Sequence, residues 1–215
     1  MLSVIVELKI ATTAMAGFIA ASSPVPLPAQ TIAVMLQTHV ASPVELELVD
    51  GNRYPRFSQK LVLERDGSSD AATAATIAEM FQCLHTHKKH EIEKRTLSIL
   101  VEVYEKWGTP IEYVSAYRAT RNESDTSPHR GARAVDFRLE DIDMRMVRDY
   151  LWRDYKRVGV GWYPYDKFIH IDHRTDLNDA SWTWDGRKNH YNPPWAQLAR
   201  TPVADDSAQA RRGKM

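Results

Sequence analysis

The sequence predicts an α+β fold in which helices pack on one side of a small antiparallel sheet. Three observations lead to this prediction: short segments alternate apolar and polar residues, longer segments carry apolar residues at helical spacing, and turn residues separate neighbouring strands. Alternation within a strand gives it one covered face and one open face. No internal repeat is evident in the sequence.

The predicted strands follow from alternation and turn signals. Residues 44–49 alternate Val and Leu with Glu, and Asp50-Gly51-Asn52 turns the chain toward a hairpin partner at residues 59–64. The other predicted strands are residues 111–117, 133–138, 158–162 and 167–172. The last two are expected to form a hairpin over residues 163–166.

Three helices are predicted between these strands. Residues 71–82 are rich in alanine, with Asp70 as the N-cap. Residues 93–107 carry a long apolar stripe and end at Gly108, a typical C-cap residue. Residues 141–155 carry a second stripe at the same spacing.

Composition limits the functional classes. The 28 Lys and Arg residues equal the 28 Asp and Glu residues, so no net field favours nucleic acid or an anionic membrane. Cys83 is the single cysteine, which excludes an intramolecular disulfide and a cysteine-based zinc site, and a buried thiol is expected there. One domain over residues 44–200, large enough for its own core and expected to be monomeric, fits this length.

The two ends of the chain differ from the middle. Residues 1–30 have a basic residue, an apolar run at 10–22 and a proline-rich stretch, as in a secretory signal and linker. The apolar run is too short to span a bilayer stably. A cleaved signal would direct the protein to the periplasm or cell envelope. Residues 204–215 are polar and charged, and a disordered tail is expected there.

Two histidines and one aspartate form the strongest chemical pattern. Alternation aims Asp136 and His170 at the same sheet surface, and His129 precedes the first of these strands in a polar loop. The opposite faces of the two strands carry Val135, Phe137, Ile169 and Ile171. A catalytic zinc ion needs three nitrogen or oxygen ligands and one open position for water. Spacing alone leaves a structural role for each side chain equally open.

These residues also carry a family resemblance. The pattern Ser-x-His-x6-Asp, followed by a strand ending His-x-Asp, resembles the zinc peptidases of the D-Ala-D-Ala carboxypeptidase, murein endopeptidase and hedgehog superfamily. Residues 83–92, 111–118 and 158–164 resemble further motifs of a bacterial branch of that superfamily, so the resemblance covers roughly residues 44–185. It implies a hedgehog/D-Ala-D-Ala-peptidase-like fold, one zinc ion held by His129, Asp136 and His170, and an Arg118 that contacts substrate.

The chain departs from the family at two points. Ala132 stands where the family has Gly, which costs on the order of 1 kcal/mol if φ is positive there. Lys167 stands where one branch has an acidic proton acceptor, and Phe168 where another has His. Asp172 is then the first candidate for the acceptor, Asp166 the second and His173 the third. Asp172 has an equal alternative as a residue that orients a ligand.

The leading functional hypothesis is a zinc-dependent peptidase acting on peptidoglycan stem peptides or cross-links, with Arg118 and Ser127 binding substrate. The alternative is a catalytically silent, zinc-bearing module that binds cell-wall peptides. The polar loop at residues 120–128 either borders the substrate groove or is an ordinary surface loop. His85, His87 and His90 form either a second metal site or a polar turn, and Lys88 and Lys89 between them favour the turn.

Overall fold

The computed structural model describes residues 42–175 and 178–197. The predicted signal and linker at residues 1–30 and the predicted tail at 204–215 lie outside the described residues. In chain order the elements are β1 (Val44–Asp50), β2 (Phe57–Leu63), α1 (Ala71–Met80), α2 (Lys94–Trp107), β3 (Ile111–Ser115), β4 (Ala134–Leu139), α3 (Met144–Asp154), β5 (Val158–Tyr163), β6 (Phe168–His173), β7 (Ala180–Trp184), β8 (Asn189–Tyr191) and a 3-10 turn at Pro194–Gln197.

The described strands form one sheet of eight in the order β2-β1-β3-β4-β6-β5-β7-β8. β1 pairs with β3 and β5 pairs with β7 in parallel, and the remaining neighbours are antiparallel. The α+β class is confirmed, but the prediction of a small antiparallel sheet is wrong. Parallel neighbours need a crossover, and here α1 and α2 provide it between β1 and β3. The strands β7 and β8 were not predicted.

The core lies between the helices and one face of the sheet. Val135, Phe137, Ile169 and Ile171 are fully buried, as alternation predicts, and they belong to one apolar cluster with residues of all three helices. Burying each such side chain stabilises the fold by about 1.5–3 kcal/mol. The opposite face of β4 and β6 is thereby left for polar side chains.

The predicted helix caps are also present. The side chain of Asp70 accepts a hydrogen bond from the Thr73 amide at 2.7 Å, and Gly108 ends α2 with a left-handed φ of 63°. The last helix begins at Met144 instead of residue 141, because Asp141 has a φ of 60° and Asp143 is the N-cap. None of the helices within the described ranges has the length and hydropathy needed to cross a bilayer.

One strand ends earlier than predicted. β3 stops at Ser115 instead of residue 117, and its register with β4 shifts between Tyr113 and Ser115. This irregularity turns the following residues out of the strand. Arg118 therefore lies beyond the end of the strand, and its Nε–H donates to the hydroxyl of Ser115 at 2.9 Å.

Candidate metal centre

Two neighbouring strands bring the first pair of candidate ligands together. In the register of β4 with β6, Asp136 is directly opposite His170. The Nδ1 atom of His170 lies 2.8 Å from Oδ1 of Asp136. Because the flanking apolar residues of both strands face the core, this pair must face the other side of the sheet.

His129 reaches the pair from the loop before β4. Its Nδ1–H donates to the carbonyl of Ala116 at 2.6 Å, so Nε2 is the nitrogen that faces the site. That Nε2 is 3.1 Å from Nδ1 of His170 and 3.3 Å from Oδ1 of Asp136. The loop backbone is held in turn by the amide of Arg118, which donates to the carbonyl of His129 at 3.2 Å.

The turn after His129 contains the residue that departs from the family pattern. Ala132 has a φ of 52°, in the left-handed region that glycine adopts most easily. Its amide donates to the carbonyl of His129, and its own carbonyl accepts from the amide of Glu93 at the start of α2. These bonds and its burial hold Ala132 in a conformation that costs on the order of 1 kcal/mol.

The three inward-facing atoms fit one metal ion. Nε2 of His129, Oδ1 of Asp136 and Nδ1 of His170 are 2.8–3.3 Å apart, and all three side chains are buried. Donors about 2.0–2.1 Å from a shared tetrahedral centre are about 3.3 Å from each other. Among the described residues this is the one group of His, Cys, Asp or Glu side chains that converges in this way.

Asp172 lies behind the site. Its Oδ2 accepts a hydrogen bond from Nε2–H of His170 at 3.1 Å, and its Oδ1 accepts one from Nε–H of Arg174 at 2.9 Å. Both oxygens are engaged and the residue has no exposed surface. These contacts suit the alternative, a residue that orients a ligand, while the role of Asp172 as proton acceptor stays a prediction.

The other two candidates for the proton acceptor also lie away from the site. Asp166 is exposed in the turn between β5 and β6, outside the described residues that line the cleft over the ligands. His173 is on the other face of β6, where its Nδ1 is 3.0 Å from Oε1 of Glu93. Their roles as proton acceptors stay predictions.

Two glycines in β5 leave room for this arrangement. A Cβ atom at Gly159 would lie 2.0 Å from Oδ2 of Asp172, and one at Gly161 would lie 2.5 Å from the ring of Trp182. The motif Gly-Val-Gly thus removes side chains from the site face of β5 while Val160 remains in the core. Trp182, on β7, then reaches across the strand to within 5.0 Å of the ring of His170.

Arg118 contacts a candidate ligand directly. Its Nη2 pairs with Oδ2 of Asp136, and its Nε–H donates to the hydroxyl of Ser115 at 2.9 Å. About a third of the side chain remains exposed at the cleft. The guanidinium therefore positions the second oxygen of Asp136 while still presenting itself to a bound molecule.

The electrostatics of the site favour a cation. Burial alone would raise the pKa of Asp136, but the charge of His129 and hydrogen bonds from both histidines hold that pKa far below its usual range. Burial alone would lower the pKa of His170, but its bonds to Asp136 and Asp172 raise that pKa to about 9. In the absence of metal, a proton on His170 therefore supplies the positive charge between the two carboxylates.

An open cleft of about 230 Å³ lies over the ligands. His129 and His170 contribute to it, and Ser127 lies at its edge with its hydroxyl accepting from the His129 amide at 3.2 Å. The other lining residues include Arg118, Glu123, Tyr163, Arg174, Trp182, Asn189 and Tyr191. A second cavity of about 400 Å³ adjoins it, and Arg118 and Glu123 line both.

Sequence reasoning missed several of these residues. Trp182 and Tyr191 are on β7 and β8, which lack a clear apolar alternation, and Arg174 follows β6 with no motif around it. The one signal for Glu123 was the polar loop at residues 120–128, which does border the cleft. The prediction of a buried Cys83 is confirmed, and His85, His87 and His90 do not converge on a metal site within the described residues.

The chain is similar in sequence to known peptidases over the segment that carries the candidate ligands. The family described as peptidase M15 matches residues 71–172, a segment that contains Arg118 and the three candidate ligands. Over 157 residues the chain is 25% identical to the peptidoglycan L,D-endopeptidase MepK of Escherichia coli K12, E. coli O157:H7 and Shigella flexneri. Both matches support membership of the D-Ala-D-Ala carboxypeptidase and murein endopeptidase superfamily.

The similarity to these superfamily members extends over most of the domain. It spans 67% of this chain and 78% of each MepK relative. No solved structure matches the chain.

The departures from the superfamily pattern have visible structural consequences. Lys167 is exposed in the turn before β6 with a φ of 55°, and Phe168 stacks on Tyr163 with ring centroids 4.3 Å apart. A stacked phenyl ring and an exposed ammonium group cannot take a proton from water. The superfamily's usual acceptor is therefore missing from this part of the site.

Proposed function

We propose that the chain is a zinc-dependent peptidase that hydrolyses amide bonds in peptidoglycan stem peptides or cross-links. The observation that carries the proposal is the convergence of His129 Nε2, Asp136 Oδ1 and His170 Nδ1 at the separations of one tetrahedral ion. Similarity to MepK, a peptidoglycan L,D-endopeptidase, supports the substrate class. Such a substrate lies in the cell envelope, which is where we propose that the protein acts.

Each part of the site has a role in this proposal. The chemistry that zinc supplies at such a set is Lewis acidity toward the carbonyl and a water whose pKa is lowered to about 7. His129, Asp136 and His170 would hold the ion and leave its fourth position toward the cleft. The carbonyl of Ala116 and the carboxylate of Asp172 fix the two imidazole rings through their outer nitrogens.

Arg118 and Ser127 act on the substrate in this account. Arg118 lies at the junction of the two cavities, where its fork of N–H groups suits a peptide carbonyl or carboxylate. Ser127 is at the edge of the cleft next to His129. A peptide that spans both cavities would pass Arg118 and present an amide bond to the ligand set.

The experiment is incubation of the purified, zinc-loaded protein with cross-linked and uncross-linked muropeptides, followed by separation of the products. We expect new fragments that disappear after chelation and return when zinc is added. His170→Ala is the matched negative control, because it removes one donor from the set. Absence of cleavage by the zinc-loaded protein would contradict the proposal.

A silent binding module is the second candidate, and one observation favours it. None of the three proton acceptors expected from the sequence lines the cleft: Asp172 is buried behind His170, Asp166 is exposed in the turn between β5 and β6, and His173 pairs with Glu93. A module would retain muropeptides in a zinc-dependent manner and release them unchanged. Product analysis in the same incubation separates the two functions.

A further inference from the structure

The proposed reaction requires a group that accepts a proton from water beside the ligand set. Asp136 is occupied by both histidines and by Arg118, and Asp172 is occupied by His170 and Arg174. Among the described residues that line the cleft, Glu123 is the one carboxylate outside these two engaged groups. The remaining ionisable side chains of the lining are arginines, tyrosines and the two candidate ligands.

Glu123 lies between the two spaces that the proposed substrate would span. It lines the cleft over the ligands and also the adjoining cavity, as Arg118 does. The residue is half-buried, and no Lys, Arg or His of the described chain forms an ion pair with its carboxylate. Glu123 therefore forms part of the cleft wall, and no cationic side chain of the described residues pairs with its carboxylate.

The loop that carries Glu123 is held in place by the residue next to a ligand. Arg130 directly follows His129, and its Nη2 donates to the carbonyls of Thr120 at 2.8 Å and Glu123 at 2.5 Å. Its Nε also donates to the carbonyls of Glu123 at 3.2 Å and Ser124 at 3.3 Å. These hydrogen bonds from Arg130 fix the backbone of the loop relative to His129. A fixed backbone helps to hold a reacting group in a productive position.

We infer that Glu123 is the proton acceptor of the reaction; the inference rests on the proposed function. The water oxygen forms a bond to the carbonyl carbon of the scissile amide while one water proton passes to the carboxylate of Glu123. The C–N bond then breaks, and Glu123 gives that proton to the leaving nitrogen. The products are an amine and a carboxylic acid, and the acid contains the oxygen atom of the attacking water.

The test compares the zinc-loaded wild type with Glu123→Gln, which keeps the shape of the side chain but cannot accept the proton. Three quantities are measured: zinc content, the Kd for a disaccharide tetrapeptide product, and kcat and KM on a cross-linked muropeptide. We expect Glu123→Gln to keep its zinc and its Kd within about threefold, and to lose on the order of 10²–10⁴ in kcat. Glu123→Asp keeps a carboxylate and should retain more turnover than the Gln variant.

Asp125→Asn is the matched control in the same loop. Its side chain is 97% exposed and makes a single 3.4 Å contact with Arg130, so its zinc content and turnover should equal those of the wild type. Three results would overturn the inference: a kcat for Glu123→Gln within about threefold of wild type, a loss that falls on KM and Kd with kcat kept, or loss of zinc. A wild type that cleaves no muropeptide overturns the proposed function, and the inference with it.

Discussion

Nε2 of His170 donates to Oδ2 of Asp172 at 3.1 Å, on the side of the imidazole ring opposite Asp136. The two nitrogens of one ring are thus held between two carboxylates. Because Nε2 is occupied, Nδ1 is the atom that His170 presents to the ligand set. We propose that Asp172, two residues after the candidate ligand on the same face of β6, positions the ring of His170.

We predict that Asp172→Asn weakens zinc binding. The side-chain amide of the asparagine has no negative charge, so it stabilises the orientation of His170 less well. Loss of a partner of this kind costs about 10–100-fold in metal affinity. Competition with a chromogenic chelator measures the affinity. Turnover at saturating zinc should return to within about tenfold of wild type. Unchanged zinc affinity together with a loss of about 10²-fold or more at saturating zinc would instead make Asp172 the proton acceptor.

We predict that Gly159→Ala destabilises the protein and lowers its affinity for zinc. The added methyl group would lie 2.0 Å from Oδ2 of Asp172, so Asp172 must move away from His170. Overpacking of this kind costs about 1–3 kcal/mol in the free energy of unfolding. A cost of that size lowers the melting temperature by about 2–4 °C per kcal/mol for a domain of this size.

Gly131→Ala is the matched control for this substitution. A methyl group there would meet the side chain of Arg133 at 3.0 Å, and that side chain is long and flexible. Its melting temperature and zinc affinity should stay close to those of the wild type. Equal losses in Gly131→Ala and Gly159→Ala would show that the packing of Asp172 against β5 is not the cause.

We predict that zinc affinity rises with pH up to about 9. The pKa of His170 in the metal-free protein is raised to about 9, so below that pH a proton must leave Nδ1 before it can bind a metal. Affinity should therefore increase by up to about tenfold per pH unit between pH 6.5 and 8.5. The slope should be shallower in Asp172→Asn, where one of the carboxylates that raises this pKa is neutral. A pH-independent affinity in both proteins would contradict the prediction.

The raised pKa of His170 also affects the stability of the metal-free protein, which should fall as the pH rises. A histidine whose pKa is raised in the folded state stabilises that state fully below its unfolded pKa of about 6.5. This contribution is lost as the pH rises through about 9. The melting temperature of the metal-free protein is therefore expected to fall over this range, and that of His170→Ala should lack this component.

The ligand pair on the strands was predictable because it depends on local alternation. The apolar residues on β4 and β6 fix which face is covered, and the register then sets Asp136 opposite His170. The family pattern raised a positive φ at Ala132 as one of two alternatives, and the structure has a φ of 52° there. Alternation within each strand therefore predicts the face that Asp136 and His170 share, while their contact depends on the register between the two strands.

The rest of the sheet and the cleft could not be predicted, because they depend on pairing between distant segments. The parallel pairing of β5 with β7 sets Gly161 beside Trp182, and nothing local to either residue specifies that contact. The end of β3 at Ser115 likewise depends on its shifted register with β4. Alternation gives the face of Asp172 but not the partners of its two oxygens, so the sequence leaves its role open between proton acceptor and ligand-orienting residue.

The zinc content of the purified protein and its ligand variants tests the central claim most directly. After dialysis against a zinc buffer, metal analysis should give one zinc ion per chain in the wild type and near zero in His129→Ala and His170→Ala. His190→Ala is the control, since this histidine is exposed and pairs with Asp185 away from the ligand set. Full stoichiometry in His129→Ala or in His170→Ala, with the control unchanged, would contradict the assignment of the metal centre.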